Sequence, residues 1–237
     1  MRLLSILSAL ALSASALAQT APTSEAPPKA LVVAELFTSQ SCSSCPSAEK
    51  LFSKLADNED LLTLEWHVDY WDRLVHGGSS WKDPYSSKAY TDRQRAYNRS
   101  LRGQSGVYTP QAVINGHFEG VGSRRAEVSD MIAHAPALSV PVTIQNGRVS
   151  VDATDENADI LFVRLLKSHE TNVKGGENKG RKLSGKNIVL EMERLGETGS
   201  APAELKLPLV KEGETCAVIV QDLAHDLSPV LGAAKCA

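Results

Sequence analysis

Residues 31–46 read LVVAELFTSQSCSSCP: an apolar run, then two cysteines spaced Cys-x-x-Cys, then a proline. Leu31 to Phe37 is apolar except for Glu35, which suits a strand buried on both faces of a central sheet. Pro46 opens the following helix, where a missing N–H costs nothing. Ala48, Leu51, Phe52 and Leu55 then recur at helical spacing through Asp57. A strand, a short loop and a helix would bring Cys42 and Cys45 together at a helix N-terminus. Unpaired N–H groups there favour negative charge and ease ionisation of the first thiol. An accessible thiolate with a second thiol in reach is the working part of a thiol–disulfide oxidoreductase. A structural disulfide and half of a zinc site are the other readings. Zinc normally asks for a second Cys-x-x-Cys or a Cys/His pair at ligand spacing, and the remaining cysteines, Cys216 and Cys236, lie far along the chain.

Working outward, Leu61 to Val68 (LLTLEWHV) reads as a second strand, which completes a β-α-β unit with parallel strands. Asp69 to Gly106 is an insertion. It carries Tyr70, Trp71, Asp72, Trp81 and Asp83, then a helix over Ser87 to Leu101 whose Arg93, Arg95 and Arg99 suit a solvated face. Gln111 to Ile114 and His117 to Val121 flank Asn115-Gly116, a type I′ hairpin signal. Ser123 is placed to cap a last helix ending near His134. Pro136 marks a boundary, beyond which strands and turns prevail. Val140 to Gln145 and Arg148 to Val151 flank Asn146-Gly147, and Ile160 to Leu166, Asn187 to Arg194 and Cys216 to Leu223 are further strands. The expected organisation is an α/β domain over about 30–137 with a helical insertion, followed by a small all-β sandwich over 138–237. Gly175 to Arg181 (GGENKGR) lacks the Gly-Lys-Ser/Thr of a nucleotide loop and reads as a sandwich loop.

The N-terminus has the form of a secretory signal: Met1-Arg2, an apolar Leu3 to Leu12, and Ala16-Leu17-Ala18 as a cleavage site, too short to span a membrane. Residues 19–29 read as a flexible leader. Export to the periplasm or the exterior follows, with no membrane span in the mature form. The net charge of −3 gives no footprint for nucleic acid or an anionic membrane surface. Four cysteines in an exported chain suit two disulfides. Cys216 and Cys236 are expected to form a structural one, because a turn at Leu227-Ser228-Pro229 lets Val230 to Leu231 pair beside the Cys216 strand.

The strand-loop-Cys-x-x-Cys-helix, the β-α-β unit and a Thr-Pro before a strand-turn-strand-helix together resemble the thioredoxin fold, and Phe37-Thr38 before Cys42 is similar to its glutaredoxin version. ELFTSQSCSSCPSAEKL, WHVDYWD, WKDPYSS, RQRAY, VYTPQAVING and GGENKGRKL resemble, more narrowly, one exported thioredoxin-like family known as domain of unknown function twelve twenty-three. That resemblance covers nearly all of the mature chain. It implies fold, compartment and a redox-like cysteine pair, and it supplies no substrate.

On this reading Cys42 is the exposed nucleophile and Cys45 the resolving thiol. The resemblance places Thr109-Pro110 in a cis-proline loop that lies against the cysteine pair and presents backbone groups to an extended substrate. Glu35 is either a proton relay for Cys45 or an acid paired to Lys or Arg. Tyr70, Trp71 and Trp81 would line a substrate groove or pin the insertion as a satellite core. The substrates would be thiols and disulfides of exported proteins, together with a redox partner, and the chemistry asks for no dissociable cofactor. Two rival functions stand beside it: a copper or zinc chaperone using Cys42, Cys45 and His67, and a non-catalytic binding module with a locked Cys42–Cys45 disulfide.

Overall fold

The computed structural model gives residues 31–223, 227 and 229–236; the expected signal segment, the leader and Ser228 of the expected turn lie outside the described residues. The apolar run becomes β1 (Val32–Thr38), with Pro46 at the first turn of α1 (Pro46–Leu55) and every residue of β2 (Leu61–His67) buried. β1 pairs in parallel with β2 and antiparallel with β3 (Gln111–Ile114), and β3 turns into β4 (Phe118–Val121). Asn115 and Gly116 take positive φ (49° and 61°), the conformation a type I′ turn needs. Between β2 and β3 lies α2 (Lys88–Arg102). The Ser87 side chain accepts from Ala89 N–H at its start, and Gly103 ends it in the left-handed region. The last helix, α3 (Arg125–Ala133), follows Arg124 rather than Ser123 as its cap residue, and no side chain caps it. α1 and α3 cover one face of the sheet through Leu51, Phe52 and Val128, and α2 covers the other through Tyr90 and Tyr97.

The second half of the chain contributes β5 (Val142–Gln145), β6 (Arg148–Val151), β7 (Asp159–Asn172), β8 (Lys182–Glu197), β9 (Ala203–Lys206), β10 (Glu214–Gln221) and β11 (Gly232–Lys235). The resulting class is mixed α/β: an eight-stranded mixed sheet of order β11-β10-β7-β8-β2-β1-β3-β4, and a three-stranded antiparallel sheet of order β5-β6-β9. Val149, Val151, Ile160, Phe162, Val218 and Val220 fill the space between the two sheets, so sandwich-like packing exists after residue 138. Its larger layer is nonetheless continuous with the first half, through parallel pairing of β8 beside β2 at Ile188 and Glu65. The physical reason lies in β2. A strand buried along its whole length cannot be left as a bare edge, and β8 covers it.

A buried ion pair ties these parts together. Arg93 of α2 donates from Nε to Glu35 Oε2 (2.7 Å) and from Nη2 to Glu35 Oε1 (2.9 Å), and reaches Gln221 Oε1 of β10 (2.9 Å). Tyr97 Oη also donates to Glu35, and the guanidinium lies 5.0 Å from the Trp66 ring centroid. Arg93 is therefore not on a solvated face. Glu35, the candidate relay, has both oxygens engaged in this pair, which is the arginine-paired alternative of the sequence reading. Removing only the cation strands a buried carboxylate. We expect Arg93→Met to cost about 3–5 kcal/mol in urea unfolding, and Glu35→Leu combined with Arg93→Met to cost clearly less. Additive losses would contradict the pair's role.

At the other end, Cys216 on β10 and Cys236 after β11 form a disulfide, with Cα atoms 5.1 Å apart, and Cys236 N–H donates to Cys216 O (2.8 Å). Leu231 N–H already bonds Val220 O, so the returning chain pairs as expected. Cys216→Ala with Cys236→Ala should lower unfolding stability by about 3 kcal/mol, the loop-closure value for a bridge of this span. Unchanged stability would show that β11 is held by pairing alone.

Candidate functional site

The segment 39–45 leaves the end of β1 and turns into α1. Cys42 N–H bonds Ser39 O (3.1 Å) and Cys45 N–H bonds Cys42 O (3.2 Å), and Cys45 sits at the N-cap position with its carbonyl accepting from Ala48 and Glu49 (2.9 and 3.1 Å). The two thiols are joined as a disulfide, Cα to Cα 5.5 Å. Thr109-Pro110 is cis, and the Thr109 carbonyl oxygen lies 4.0 Å from Cys42 Sγ. Trp71 Nε1 donates to Thr109 Oγ1 (2.8 Å), and Trp81 Nε1 donates to Gln40 Oε1 (3.0 Å). Ser41 Oγ donates to Trp81 O (3.0 Å). Tyr70 and Trp71 also pack on the core beneath α2. Burial pushes the Tyr70 phenol up to about 12. The structure thus brings Cys42, Cys45, Thr109, Pro110, Trp71 and Trp81 together, the aromatic pair serving as braces of the two loops.

Cys42 is not exposed. Its relative accessibility is 1%, and Cys45 has none. The loop 175–181, read in sequence as a sandwich loop, is hydrogen-bonded along the backbone of the cysteine loop. Buried Asn178 donates from Nδ2 to the carbonyls of Gln40 (2.9 Å) and Cys42 (2.8 Å). Glu177 accepts from Ser43 N–H (2.8 Å), which holds its carboxyl below the usual range, and its own N–H bonds Ser41 O (3.3 Å). Arg181 Nη1 fixes Asn178 Oδ1 (2.8 Å). Gly176, at φ +69°, lies so close to Ser41 that a Cβ would meet Ser41 Oγ at 2.9 Å. The double glycine was the available signal for this close approach.

Beneath the cysteine loop lies a buried polar cluster. His67, at the end of β2, shares a 2.7 Å hydrogen bond between Nδ1 and Asp83 Oδ2, and the same carboxylate oxygen accepts from Gln40 N–H (2.8 Å). Burial alone would lower the His67 pKa, but the Asp83 charge and hydrogen bond raise it. Burial alone would raise Asp83, and His67 with the backbone donors brings it below the usual carboxylate value. Glu49 of α1, which accepts from Thr38 Oγ1 (2.7 Å), is raised by burial against the pull of His67. Glu65, two residues before His67 and on the same face of β2, is pushed well up by burial and by Glu49. The Lys186 N–H approaches Glu65 without completing a hydrogen bond of good geometry, and neither carboxylate oxygen is otherwise partnered. His169 of β7 is lowered to about 4 by burial and by His67.

His67 therefore faces Asp83, Glu65 and His169. Among the described residues, the group of three or more His, Cys, Asp or Glu donors lying within 4.8 Å of one another is Glu65, His67 and His169. Cys42 and Cys45 are not in it, so the Cys42–Cys45–His67 metal set does not assemble. Asp83 was singled out in sequence only as part of the insertion loop, and Glu65, His169 and Asn178 escaped as site residues because each is an isolated polar residue whose partners are distant in the chain.

Two solved structures are similar to this chain. The crystal structure of protein AGR_C_4864 from Agrobacterium tumefaciens shares 32% identity, with a TM-score of 0.72 over 87% of this chain and 94% of that one. HBP35 of Porphyromonas gingivalis shares 13% identity, with a TM-score of 0.56 over 87% of this chain and 74% of that one, which is a likeness of fold alone. No curated protein matches. Residues 33–221, running from the second residue of β1 to the end of β10, match the family described as "Protein of unknown function (DUF1223)", and the chain belongs to that family.

Proposed function

We propose that the chain is an exported thiol–disulfide oxidoreductase built on a thioredoxin-type unit, the β2-β1-β3-β4 portion of the large sheet with α1, α2 and α3. The single observation that carries this reading is the Thr109 carbonyl facing Cys42 Sγ at 4.0 Å, across the loop from a disulfide set at a helix start. A backbone acceptor there can pair with an extended peptide whose own sulfur approaches Cys42. In the oxidising direction a substrate thiolate attacks Cys42 Sγ, the Cys42–Cys45 bond breaks, and Cys45 leaves as a thiolate. A second substrate thiolate then attacks the mixed disulfide and releases a substrate disulfide and reduced Cys42. The reducing direction is the reverse, with Cys42 as nucleophile and Cys45 resolving. Two disulfides suit an oxidising compartment, and no described helix is long and apolar enough to cross a membrane. The partners would be thiols and disulfides of exported proteins and a redox protein that resets the pair.

A second reading has its own support. With Cys42 only 1% accessible under Asn178, the chain would be a binding module with a locked disulfide. Under the oxidoreductase reading, Cys42→Ser abolishes insulin-type disulfide reduction and Cys45→Ser accumulates a mixed disulfide through Cys42. Wild-type turnover by both single variants would end that reading.

The cover also has a consequence for rate. Asn178 makes two hydrogen bonds to the cysteine loop, each worth about 0.5–1.5 kcal/mol. Asn178→Ala should therefore raise the open population and speed reaction of the disulfide with dithiothreitol by at least about fivefold. Equal rates would mean that loop 175–181 does not limit access to Cys42.

A further inference from the structure

The polar cluster under the cysteine loop has features that the redox reading leaves unused. Glu65 has no solvent exposure, and its two oxygens make no hydrogen bond of good geometry. An unpartnered buried carboxylate is costly unless something compensates it. His67 is fully buried, and its Nε2 is without a partner while Nδ1 is engaged by Asp83. His169 has Nδ1 3.2 Å from Thr171 Oγ1, and its Nε2 lies toward Gly185 of β8. The two imidazole rings stand 6.0 Å apart, nearly perpendicular.

Gly185 marks the point of convergence. A Cβ built there would lie 3.0 Å from His169 Nε2 and closer still to the Glu65 carboxylate. The missing side chain on β8 therefore makes room for the Glu65 carboxylate and the His169 ring, which meet there. On the outer side, an open hollow of about 390 Å³ is lined by Ser53, His169, Glu170, Ser184, Gly185 and Lys186, which provides an entry path.

We infer that Glu65, His67 and His169 bind a divalent first-row transition ion of the zinc type, at a site separate from the Cys42–Cys45 pair. Two imidazole nitrogens and one carboxylate form a three-ligand set of the kind that holds zinc with a position left over for water. The outer partners fit too. The Asp83 carboxylate on His67 Nδ1 is the carboxylate–histidine support that orients metal-bound imidazoles, and Thr171 plays the equivalent part for His169. The three donor atoms lie within 4.8 Å of one another, whereas bonds of about 2.0–2.1 Å place tetrahedral ligands about 3.3–3.5 Å apart. Binding thus asks the Glu65, His67 and His169 side chains to close slightly over β8, which lies between β2 and β7.

The site also touches the cysteine loop indirectly. Asp83 holds both His67 and the Gln40 N–H, and Gln40 Nε2 donates to Thr171 Oγ1 (3.1 Å). The ion's expected role is to fix the floor of that loop.

The test is equilibrium dialysis of tag-free, oxidised protein against Zn²⁺, with Co²⁺ as a spectroscopic probe. One equivalent of zinc per chain is expected, with cobalt d–d bands and no thiolate-to-cobalt charge-transfer band. His169→Ala should weaken binding at least about 100-fold. Gly185→Ala, which fills the cradle and removes no ligand, should do the same while keeping the wild-type circular dichroism spectrum. The Cys42→Ser, Cys45→Ser double variant should bind as wild type. The inference is overturned if wild type retains no zinc, if the Gly185→Ala protein folds and binds normally, or if cobalt shows thiolate ligation.

Discussion

The Asp83 carboxylate is the constraint on which this structure depends. It is buried, it faces His67, and it accepts from the backbone of Gln40 and Tyr85. One charged group thereby joins the insertion that follows β2, the end of β2 itself, and the loop that carries Cys42. Its charge is tolerable inside the protein because His67 compensates it and two backbone N–H groups donate to it. Losing it would orphan a histidine and two backbone amides together.

That constraint helps to hold the cysteine loop in its buried position. Gln40 is held from below by Asp83, from the side by Trp81, and from above by Asn178, which binds the carbonyls of Gln40 and Cys42. Helix-end N–H groups were the main expected source of thiolate stabilisation. Here the Ser43 N–H is already taken by Glu177, a negatively charged group, so the electrostatics of the pair depend on the state of the covering loop.

The parts of the fold specified by neighbouring residues were legible in the sequence. Pro46 and the Ala48, Leu51, Phe52 spacing placed α1, Ser87 placed α2, and Asn115-Gly116 and Asn146-Gly147 placed two turns with positive φ. The Cys216–Cys236 bridge followed from a strand that returns after a short span. What was not legible depends on contacts far apart in sequence. β8 pairs with β2 at the single register position Ile188–Glu65, which no alternation pattern announces. Arg93 looked like one of three solvated arginines, and only the fold turns it toward Glu35. His169 sits in a strand with no motif around it, 102 positions beyond His67, and the β7–β8 hairpin alone brings them together. Gly175-Gly176 signalled a close approach, but not to which element.

The proposed role makes Cys42–Cys45 a working redox pair and not a fixed staple. Its most direct test is the reduction potential of that pair in the folded protein, measured by equilibration in defined dithiol buffers with mass-spectrometric counting of alkylated thiols. A potential above about −300 mV, within the roughly −120 to −270 mV spanned by catalytic dithiols, is predicted. A pair that stays oxidised in the native state until well below about −300 mV, like a structural bridge, would contradict the account.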